Sequence, residues 1–109
     1  MSPRFTLNHT LASVLHAVAA GSRYGFDIID VTELPSGTVY PALGRLEDEG
    51  YVTSQWEDQR IAHREKRPPR KYYATTTRGD RMLQVVLKEY RNFERVMRTR
   101  SSKAIRSRG

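Results

Sequence analysis

The basic side chains of this chain are concentrated in one short segment, and the chemistry they suit is the binding of phosphate groups. Residues 59–71 contain six lysine or arginine residues against one glutamate, a net charge of +5. Guanidinium and ammonium groups at this density neutralise a phosphate backbone. The six candidate phosphate-binding residues are Arg60, Arg64, Lys66, Arg67, Arg70 and Lys71. The alternative is a solvated surface loop that binds nothing.

A second group of polar residues lies upstream and suits contact with DNA. The stretch SGTVYPALGRLEDEG (36–50) places hydroxyl groups and one guanidinium among apolar residues. Such side chains bond to phosphates and to base edges. The candidates are Ser36, Thr38, Tyr40 and Arg45. The acidic residues 47–49 would repel phosphates, so we expect the start of this stretch to face DNA and its acidic end to face away.

The charge of the chain is divided unevenly between its two halves. Residues 1–58 hold three basic and eight acidic residues, a net of −5, whereas residues 59–109 hold sixteen and four, a net of +12. This asymmetry favours one surface for a polyanion. The 109 residues suit a single domain. No apolar run reaches the roughly 18–20 residues of a membrane span, and the N-terminus is unlike a signal peptide. We therefore expect a cytoplasmic protein with no membrane partner.

Residues suited to catalysis or metal binding are scarce. The chain has no cysteine and three histidines, and it lacks a phosphate-binding glycine loop and a converging carboxylate pair. We therefore expect neither an enzyme nor a cofactor. His9 and His16 share a helical face but lie about 10.5 Å apart along the axis, too far to bind one ion. We expect no metal site.

Three amphipathic helices are predicted before the basic segment. Apolar residues recur at helical spacing in residues 8–21, at Leu11, Val14, Leu15 and Val18. A second short helix is predicted over residues 24–31. Its expected buried side consists of Tyr24, Ile28 and Val31, with Phe26 and Ile29 partly covered.

The third helix is predicted to begin at Ser36 and to end at Gly50. Ser36 suits the capping position, where its hydroxyl accepts a hydrogen bond from the first turn. Pro41 fixes the start near residues 36–38, because proline is tolerated only close to the beginning of a helix. The buried stripe is expected at Val39, Leu43 and Leu46.

Two strands joined by a long basic loop are predicted after the third helix. Residues 51–56 alternate in the manner of a strand, and residues 70–75 form the return strand. Pro68 and Pro69 keep the connection on a loop or a sheet edge. The fold class is therefore mainly α with a small β-hairpin. A helix followed by a basic hairpin is typical of a winged helix-turn-helix, here residues 1–76.

A last helix over residues 77–98 is predicted to pair two copies of the chain. Its apolar residues follow a spacing of three and four, the pattern of helices that pack together. With the first helix, it gives the candidate dimer interface Leu11, Leu15, Leu83, Val86, Leu87, Tyr90, Phe93 and Met97. Residues 99–109 lack apolar periodicity and are expected to form a flexible basic tail that adds non-specific affinity for DNA.

The motifs GTVYPAL (37–43) and RKYY (70–73) together resemble those of the PadR family of bacterial transcriptional regulators. Further similarity at YGFDI (24–28) and EGYV (49–52) extends the resemblance over about residues 8–90. It implies a winged helix-turn-helix that dimerises through its last helix, helped by the first, and represses at palindromic operators. It also implies that the third helix enters the major groove and that the hairpin, called the wing, touches the backbone or minor groove. The chain resembles short members without a separate C-terminal effector domain, with a longer and more basic wing.

The sequence thus predicts a homodimeric, sequence-specific regulator that binds double-stranded DNA and acts as a repressor. A basic protein that binds RNA or DNA without reading sequence is the alternative, because it would use the same charges. A small-molecule effector bound between the helices is also left open. Trp56, Tyr90 and Phe93 are the candidate lining residues, although core packing explains them equally well.

Overall fold

The helices and strands follow one another in the order expected of a winged helix. The computed structural model describes residues 7–108, with side-chain surroundings as far as Thr99. The elements are α1 (His9–Ala19), α2 (Gly25–Thr32), α3 (Ser36–Asp48), β1 (Val52–Trp56), α4 (Gln59–Arg64), β2 (Lys71–Thr75) and α5 (Thr77–Arg108). The mainly helical fold with one small antiparallel hairpin is confirmed. Within the described residues, no helix is both long and apolar enough to cross a bilayer.

Helix α1 supplies the centre of the core. The Asn8 side chain caps it by accepting a hydrogen bond from the Leu11 N–H at 2.8 Å. Its apolar face is buried against α2, α3, α5 and β2. The largest fully buried side chains around it are Leu15, Val14, Ile28, Val39, Leu43, Leu46 and Tyr51. The predicted apolar stripes of α1 and α3 are therefore the ones that make the core.

Four of the eight residues predicted for a dimer interface are instead core residues of a single chain. Leu15 is fully buried, and Leu11, Leu83 and Val86 are 4–6% exposed. The reason is that α5 begins by packing on α1 of the same chain, so the first part of its apolar stripe is covered internally. Leu87 is partly buried against this core.

Helix α2 buries less than its sequence predicts. Ile28 is fully buried, but Val31 and Phe26 are 59% and 75% exposed, which contradicts the expected covering of both. A helix of eight residues makes only about two turns. Gly25 and Ile28 occupy its buried face, so a side chain beside that face or at its far end remains in solvent.

The cap of α3 also differs from expectation. Pro35, not Ser36, is the capping residue: its backbone is extended, and its carbonyl accepts hydrogen bonds from Thr38 and Val39 at 2.9 and 3.0 Å. Ser36 is the first helical residue and is exposed. The helix begins at Ser36, within the predicted range of residues 36–38, although Pro41 lies inside it as the sixth residue and cannot donate to the Gly37 carbonyl. Glu33, in the left-handed conformation at φ 59°, ends α2 and turns the chain toward α3.

The wing comprises β1, α4 and β2 (residues 52–75), and its connection is partly helical rather than the long loop expected. Asp58 starts α4 by accepting a hydrogen bond from the Arg60 N–H at 2.8 Å. Ala62 anchors α4 with an exposure of 1%. Lys66, at φ 56°, follows the end of the helix. A local cap and one buried alanine thus order a segment whose charge alone suggested a solvated loop.

The wing is bonded to the segment between α1 and α2. The two strands pair in antiparallel register from Val52 opposite Thr75 to Trp56 opposite Lys71. On the other edge of β2, the Tyr73 N–H donates to the Arg23 carbonyl at 2.7 Å, and Tyr24 forms an isolated bridge with Tyr72. The hairpin is therefore bound on both sides of β2.

Helix α5 continues to Arg108, well past the expected end at residue 98. No glycine or proline occurs between Gly79 and Gly109, and arginine, lysine and alanine favour a helix. The start of α5 packs closely on Tyr51, the residue just before β1. Gly79 is buried there, and a Cβ at Gly79 would overlap the Tyr51 carbonyl group. The Thr76 hydroxyl caps this start by accepting the Gly79 N–H at 3.0 Å.

Candidate nucleic-acid interface

The exposed side of α3 carries the residues predicted to contact DNA. Ser36, Tyr40 and Arg45 are exposed, and Thr38 is half-buried. The opposite side of the helix holds the core residues already described. An open polar face on the third helix is the arrangement that the sequence predicted for contact with DNA.

Tyr40 also joins α3 to α2. A Cβ built on Gly25 would overlap the Tyr40 ring, so the ring rests directly on the backbone at the start of α2. Only glycine allows this approach. The side chain is nevertheless 46% exposed. Tyr40 thus presents a ring held from one side toward the space between α2, α3 and the wing.

A cleft of about 560 Å³ lies in that space, and we call it the aromatic cleft. It is lined by aromatic rings of all three elements and by the basic end of the wing. The lining includes Tyr24, Phe26, Tyr40, Trp56, Arg70 and Lys71. Phe26 and Trp56 are 75% and 64% exposed. The start of β2 and the side of α3 that carries Tyr40 therefore border the same surface, whereas Ser36, Thr38 and Arg45 do not line this cleft.

Not all of the acidic residues at the end of α3 face away from this surface. Glu47 lines the aromatic cleft, where the Ser54 hydroxyl donates to its carboxylate and Lys71 Nζ lies 3.9 Å away. The expectation that residues 47–49 all point outward is therefore wrong for Glu47. Position in the helix explains this, because Glu47 follows Tyr40 and Gly44 along the same side toward the wing.

Arg67, predicted to bind phosphate, is instead bound within the wing. Its Nη1 and Nη2 atoms lie 2.6 and 2.9 Å from the two carboxylate oxygens of Glu57. The Glu57 side chain is 5% exposed and also accepts hydrogen bonds from the Arg70 N–H at 3.3 Å and the Tyr72 hydroxyl at 3.1 Å. The hydrogen bonds from Arg67, with smaller contributions from Arg70 and Tyr72, lower the pKa of Glu57 to about 2. Arg67 therefore orders the wing.

Arg70 and Lys71 are positioned by aromatic rings. The Arg70 guanidinium lies over the Tyr24 ring at 4.2 Å from its centroid. The Lys71 ammonium lies 5.7 Å from the Trp56 ring and 5.9 Å from the Tyr73 ring. Stacking uses the face of a guanidinium and leaves its N–H edge directed outward in the ring plane. Both cations are thus held at the border of the aromatic cleft.

The remaining predicted cations lie on α4 and just after it. Arg60 pairs with Asp58 at 3.0 Å and is 87% exposed, and this hydrogen bonding lowers the pKa of Asp58. Arg64 and Lys66 are exposed. Both are therefore accessible to a phosphate backbone, although Arg64 also contributes to the lowered pKa of Asp58.

The three aromatic residues proposed for one effector site do not share a cavity. Trp56 lines the aromatic cleft, whereas Tyr90 lines a groove of about 370 Å³ between α1 and α5, and Phe93 lines neither. The Tyr90 hydroxyl lies 3.2 Å from Nδ1 of His9. Within the described part of the chain, no three histidine, aspartate or glutamate side chains converge as metal ligands would.

Two residues that shape this region, Phe26 in the cleft and Glu57 within the wing, are not among the candidates predicted from the sequence. The sequence predicts a partly covered Phe26, but an aromatic residue at position two of an eight-residue helix falls beside the single buried face. In the sequence, Glu57 is one of the eight acidic residues of the first 58. The signal for Glu57 is its place at the end of a strand opposite a basic return segment, where an ion pair across the hairpin is geometrically accessible.

Comparison with solved structures shows the same fold in other bacterial regulators. A PadR-family regulator from Clostridium difficile is 24% identical with a TM-score of 0.74, over 84% of this chain and 97% of that one. A PadR-like transcription factor from Bacteroides fragilis is 22% identical with a TM-score of 0.68, over 82% and 86%. BpsR of Bordetella bronchiseptica, whose DNA binding is regulated by 6-hydroxynicotinic acid, is 15% identical with a TM-score of 0.69, over 87% and 67%.

Comparison of sequences gives the family. A search of curated protein sequences found no significant match. The model of the transcriptional regulator PadR-like family matches residues 14–85, from the middle of α1 through the wing and into α5. The members of this family and the similar solved structures are transcription regulators and not enzymes. The chain therefore belongs to the PadR-like family of transcriptional regulators, and it is a DNA-binding regulator with a winged helix fold.

Proposed function

We propose that this protein is a homodimeric repressor that binds palindromic operators in double-stranded DNA. One observation carries the proposal: Tyr40 of α3 and the wing cations Arg70 and Lys71 border a single cleft. A recognition helix and a wing that share one side can contact adjacent grooves of one duplex. The family membership supports DNA binding as such.

The start of α3 enters the major groove in this proposal. Ser36 and Thr38 lie in its first turn, where hydroxyl groups and free backbone N–H groups suit phosphate contacts. Arg45, two turns further on, is exposed and suits a phosphate or a guanine edge. Tyr40 contributes its ring and hydroxyl from the side nearer α2.

The wing contacts the backbone or the minor groove. Arg64 and Lys66 are the principal phosphate contacts, and Arg60, Arg70 and Lys71 are additional ones. Arg67 contributes by ordering the wing and not by binding phosphate, because its guanidinium forms an ion pair with Glu57. A wing ordered before DNA arrives loses less conformational entropy on binding than a flexible loop would.

Dimerisation is assigned to the exposed part of α5. Tyr90, Phe93 and Met97 are 43%, 66% and 48% exposed and follow one another at intervals of three and four residues. Val96 adds to the stripe at 51% exposure. A regular apolar stripe that its own chain leaves uncovered suits a second helix of the same kind. Two copies related by a twofold axis would read the two halves of a palindrome.

A small-molecule effector remains an alternative form of regulation within this proposal. The groove between α1 and α5 is bordered by His16, Val31 and Tyr90, next to the stripe assigned to dimerisation. A ligand there would act on the arrangement of the two copies. The regulation of BpsR by 6-hydroxynicotinic acid supports the search for such a ligand without identifying it. A bacterial cytoplasmic location, on the nucleoid when bound, follows from the proposed role.

Genome-wide footprinting of the bound protein tests the proposal, followed by titration of the recovered duplex against random duplex and structured RNA. We expect an inverted repeat, a preference for it over random duplex, and one dimer per site by light scattering. Placing the site over a reporter promoter should lower expression when the protein is present. Equal affinity for all three nucleic acids would favour the non-specific basic protein instead.

A further inference from the structure

The aromatic cleft has a composition that phosphate binding alone does not require. Three of its rings, those of Phe26, Tyr40 and Trp56, are 46–75% exposed, although they come from three different elements. Exposed apolar side chains occur singly on most proteins, whereas a cluster marks a binding surface. Rings that converge from α2, α3 and β1 therefore indicate an apolar contact.

The cations at the border of the cleft define the charge of its occupant. Arg70 stacks on Tyr24, and Lys71 lies between the rings of Trp56 and Tyr73. The carboxylate of Glu47 is the opposing charge, and it is engaged by the Ser54 hydroxyl and lies 3.9 Å from Lys71. An occupant with apolar faces and more than one negative group complements this lining.

The shape of the cleft favours an extended molecule. Small ligands are usually enclosed, with most of their surface buried. Phe26 and Trp56 line the cleft but are still 75% and 64% exposed to solvent. The cleft is therefore shallow. A polymer that crosses the surface and continues beyond it suits this shape better than an enclosed ligand.

The position of the cleft identifies which part of DNA would cross it. With α3 in the major groove and the wing at the minor groove, the element of duplex DNA between the two is one sugar–phosphate strand. We propose that the aromatic cleft binds this strand, with Phe26 and Trp56 packed against deoxyribose faces and Arg70 and Lys71 on the adjoining phosphates. This inference rests on the proposed DNA-binding function and adds to it an apolar, sequence-independent contact.

The contact has a thermodynamic signature that separates it from ionic ones. Neutralising a phosphate releases counterions and steepens the dependence of affinity on salt, whereas an apolar contact does not. Phe26→Ala and Trp56→Ala should each weaken binding roughly fivefold or more, by analogy with the cost of losing an aromatic stacking partner. The slope of log affinity against log salt should stay unchanged, and operator and random duplexes should be affected equally.

Fluorescence anisotropy of a labelled duplex measures these affinities at several salt concentrations. Val85→Ala is the matched control, because Val85 is an exposed apolar residue of α5 that does not line the aromatic cleft, and the change should leave affinity unchanged. Thermal unfolding of each variant checks its fold. If Trp56→Ala unfolds, Phe26→Ala alone decides the question, and unchanged affinity in this variant would overturn the inference.

Trp56 also gives a direct readout in the wild-type protein. It is the only tryptophan of the chain, so the emission spectrum reports on the cleft. Saturating duplex should protect Trp56 from quenching by acrylamide. If anisotropy shows that the protein is fully bound while acrylamide quenches Trp56 as strongly as in the free protein, the DNA strand does not cross the aromatic cleft. Absence of any duplex binding by wild-type protein would instead contradict the proposed function itself, and the inference with it.

Discussion

The guanidinium of Arg67 lies across both carboxylate oxygens of Glu57, at 2.6 and 2.9 Å, and joins the two ends of the wing's connecting segment. Glu57 follows β1, and Arg67 precedes the two prolines that lead into β2. The same carboxylate accepts from the Arg70 N–H and the Tyr72 hydroxyl. The Glu57 carboxylate, on a side chain only 5% exposed, therefore holds together a segment whose net positive charge would otherwise favour expansion.

Replacing Glu57 with glutamine should weaken DNA binding several-fold, although the change removes a negative charge from the element proposed to contact DNA. The neutral amide cannot accept from Arg67 as strongly, so the wing loses its order before binding. Glu65→Gln is the matched control, because it removes the same charge from an exposed site on the wing and should raise affinity slightly. Anisotropy titrations of both variants check the opposite signs. Equal effects of the two changes would show that Glu57 acts through charge alone.

The depressed pKa of Glu57 makes the stability of the protein depend on acidity. Because the pKa falls from 4.5 to about 2 on folding, the carboxylate stabilises the folded state above about pH 4.5. That contribution is lost progressively as the pH falls from 4.5 toward 2. Urea unfolding at pH 2–6 should therefore show wild type and Glu57→Gln converging as the pH decreases. A stability difference that is constant over this range would contradict the assignment.

Replacing Arg64 and Lys66 together with alanine should lower both affinity and its salt dependence. If each contacts one phosphate, the slope of log affinity against log salt should decrease by about 2 in magnitude. Arg60→Ala should have a smaller effect, because Arg60 already pairs with Asp58. Titration over a series of salt concentrations provides the measurement. An unchanged slope in the double variant would remove α4 and its flanking turn from the interface.

Replacing Phe93 with serine should separate the two copies without unfolding either. Phe93 is 66% exposed in the single chain, so the fold of each copy does not depend on this side chain. Sedimentation or light scattering should show a shift toward monomer, and operator affinity should fall with it. Leu15→Ala is the contrasting variant: Leu15 is fully buried, and its truncation should cost about 2–5 kcal/mol of unfolding free energy. A Phe93→Ser protein that remains fully dimeric would place the interface elsewhere.

Replacing Gly79 with alanine should destabilise the junction between α5 and the wing. Alanine normally favours a helix over glycine by about 1 kcal/mol, but here the added Cβ would overlap the Tyr51 carbonyl group. The backbone must therefore move apart, and the thermal midpoint should fall. Gly44→Ala is the control, because no atom lies within 4 Å of a Cβ at that position, and it should be neutral or stabilising. Thermal unfolding of both variants distinguishes the steric overlap at Gly79 from the general effect of alanine on helix stability.

The sequence predicted the elements whose signals are local. The start of α3 at Ser36 lies within the range of residues 36–38 predicted from Pro41, even though Pro41 removes one hydrogen bond in the second turn. Gly50 has a positive φ of 79° just after α3, as its predicted place at the helix end requires. The alternation in residues 51–56 gave β1 within one residue. These features depend on neighbours in the chain and need no tertiary information.

The sequence did not predict features that depend on distant partners. Arg67 and Arg64 are chemically identical, and only the fold brings Glu57 to one of them. Leu83 and Phe93 belong to one apolar pattern, yet α1 covers the first and leaves the second exposed. Helix α4 was missed because its charge indicated a loop, whereas its order rests on the Asp58 cap and the burial of Ala62. The ion pair of Arg67 and the burial of Leu83 depend on residues far away in the sequence. Helix α4 has only one buried apolar residue, too few to produce a recognisable helical pattern.

The hydrogen bond from Tyr73 to the Arg23 carbonyl connects the hairpin to the helices on its far side. With the bridge between Tyr24 and Tyr72, it fastens the wing to the segment that leads into α2. A regulatory signal therefore has little freedom to act by loosening the hairpin alone. In a dimer held through α5, such a signal would change the relative orientation of the two DNA-binding domains. The spacing between operator half-sites that the dimer can bind would change with it.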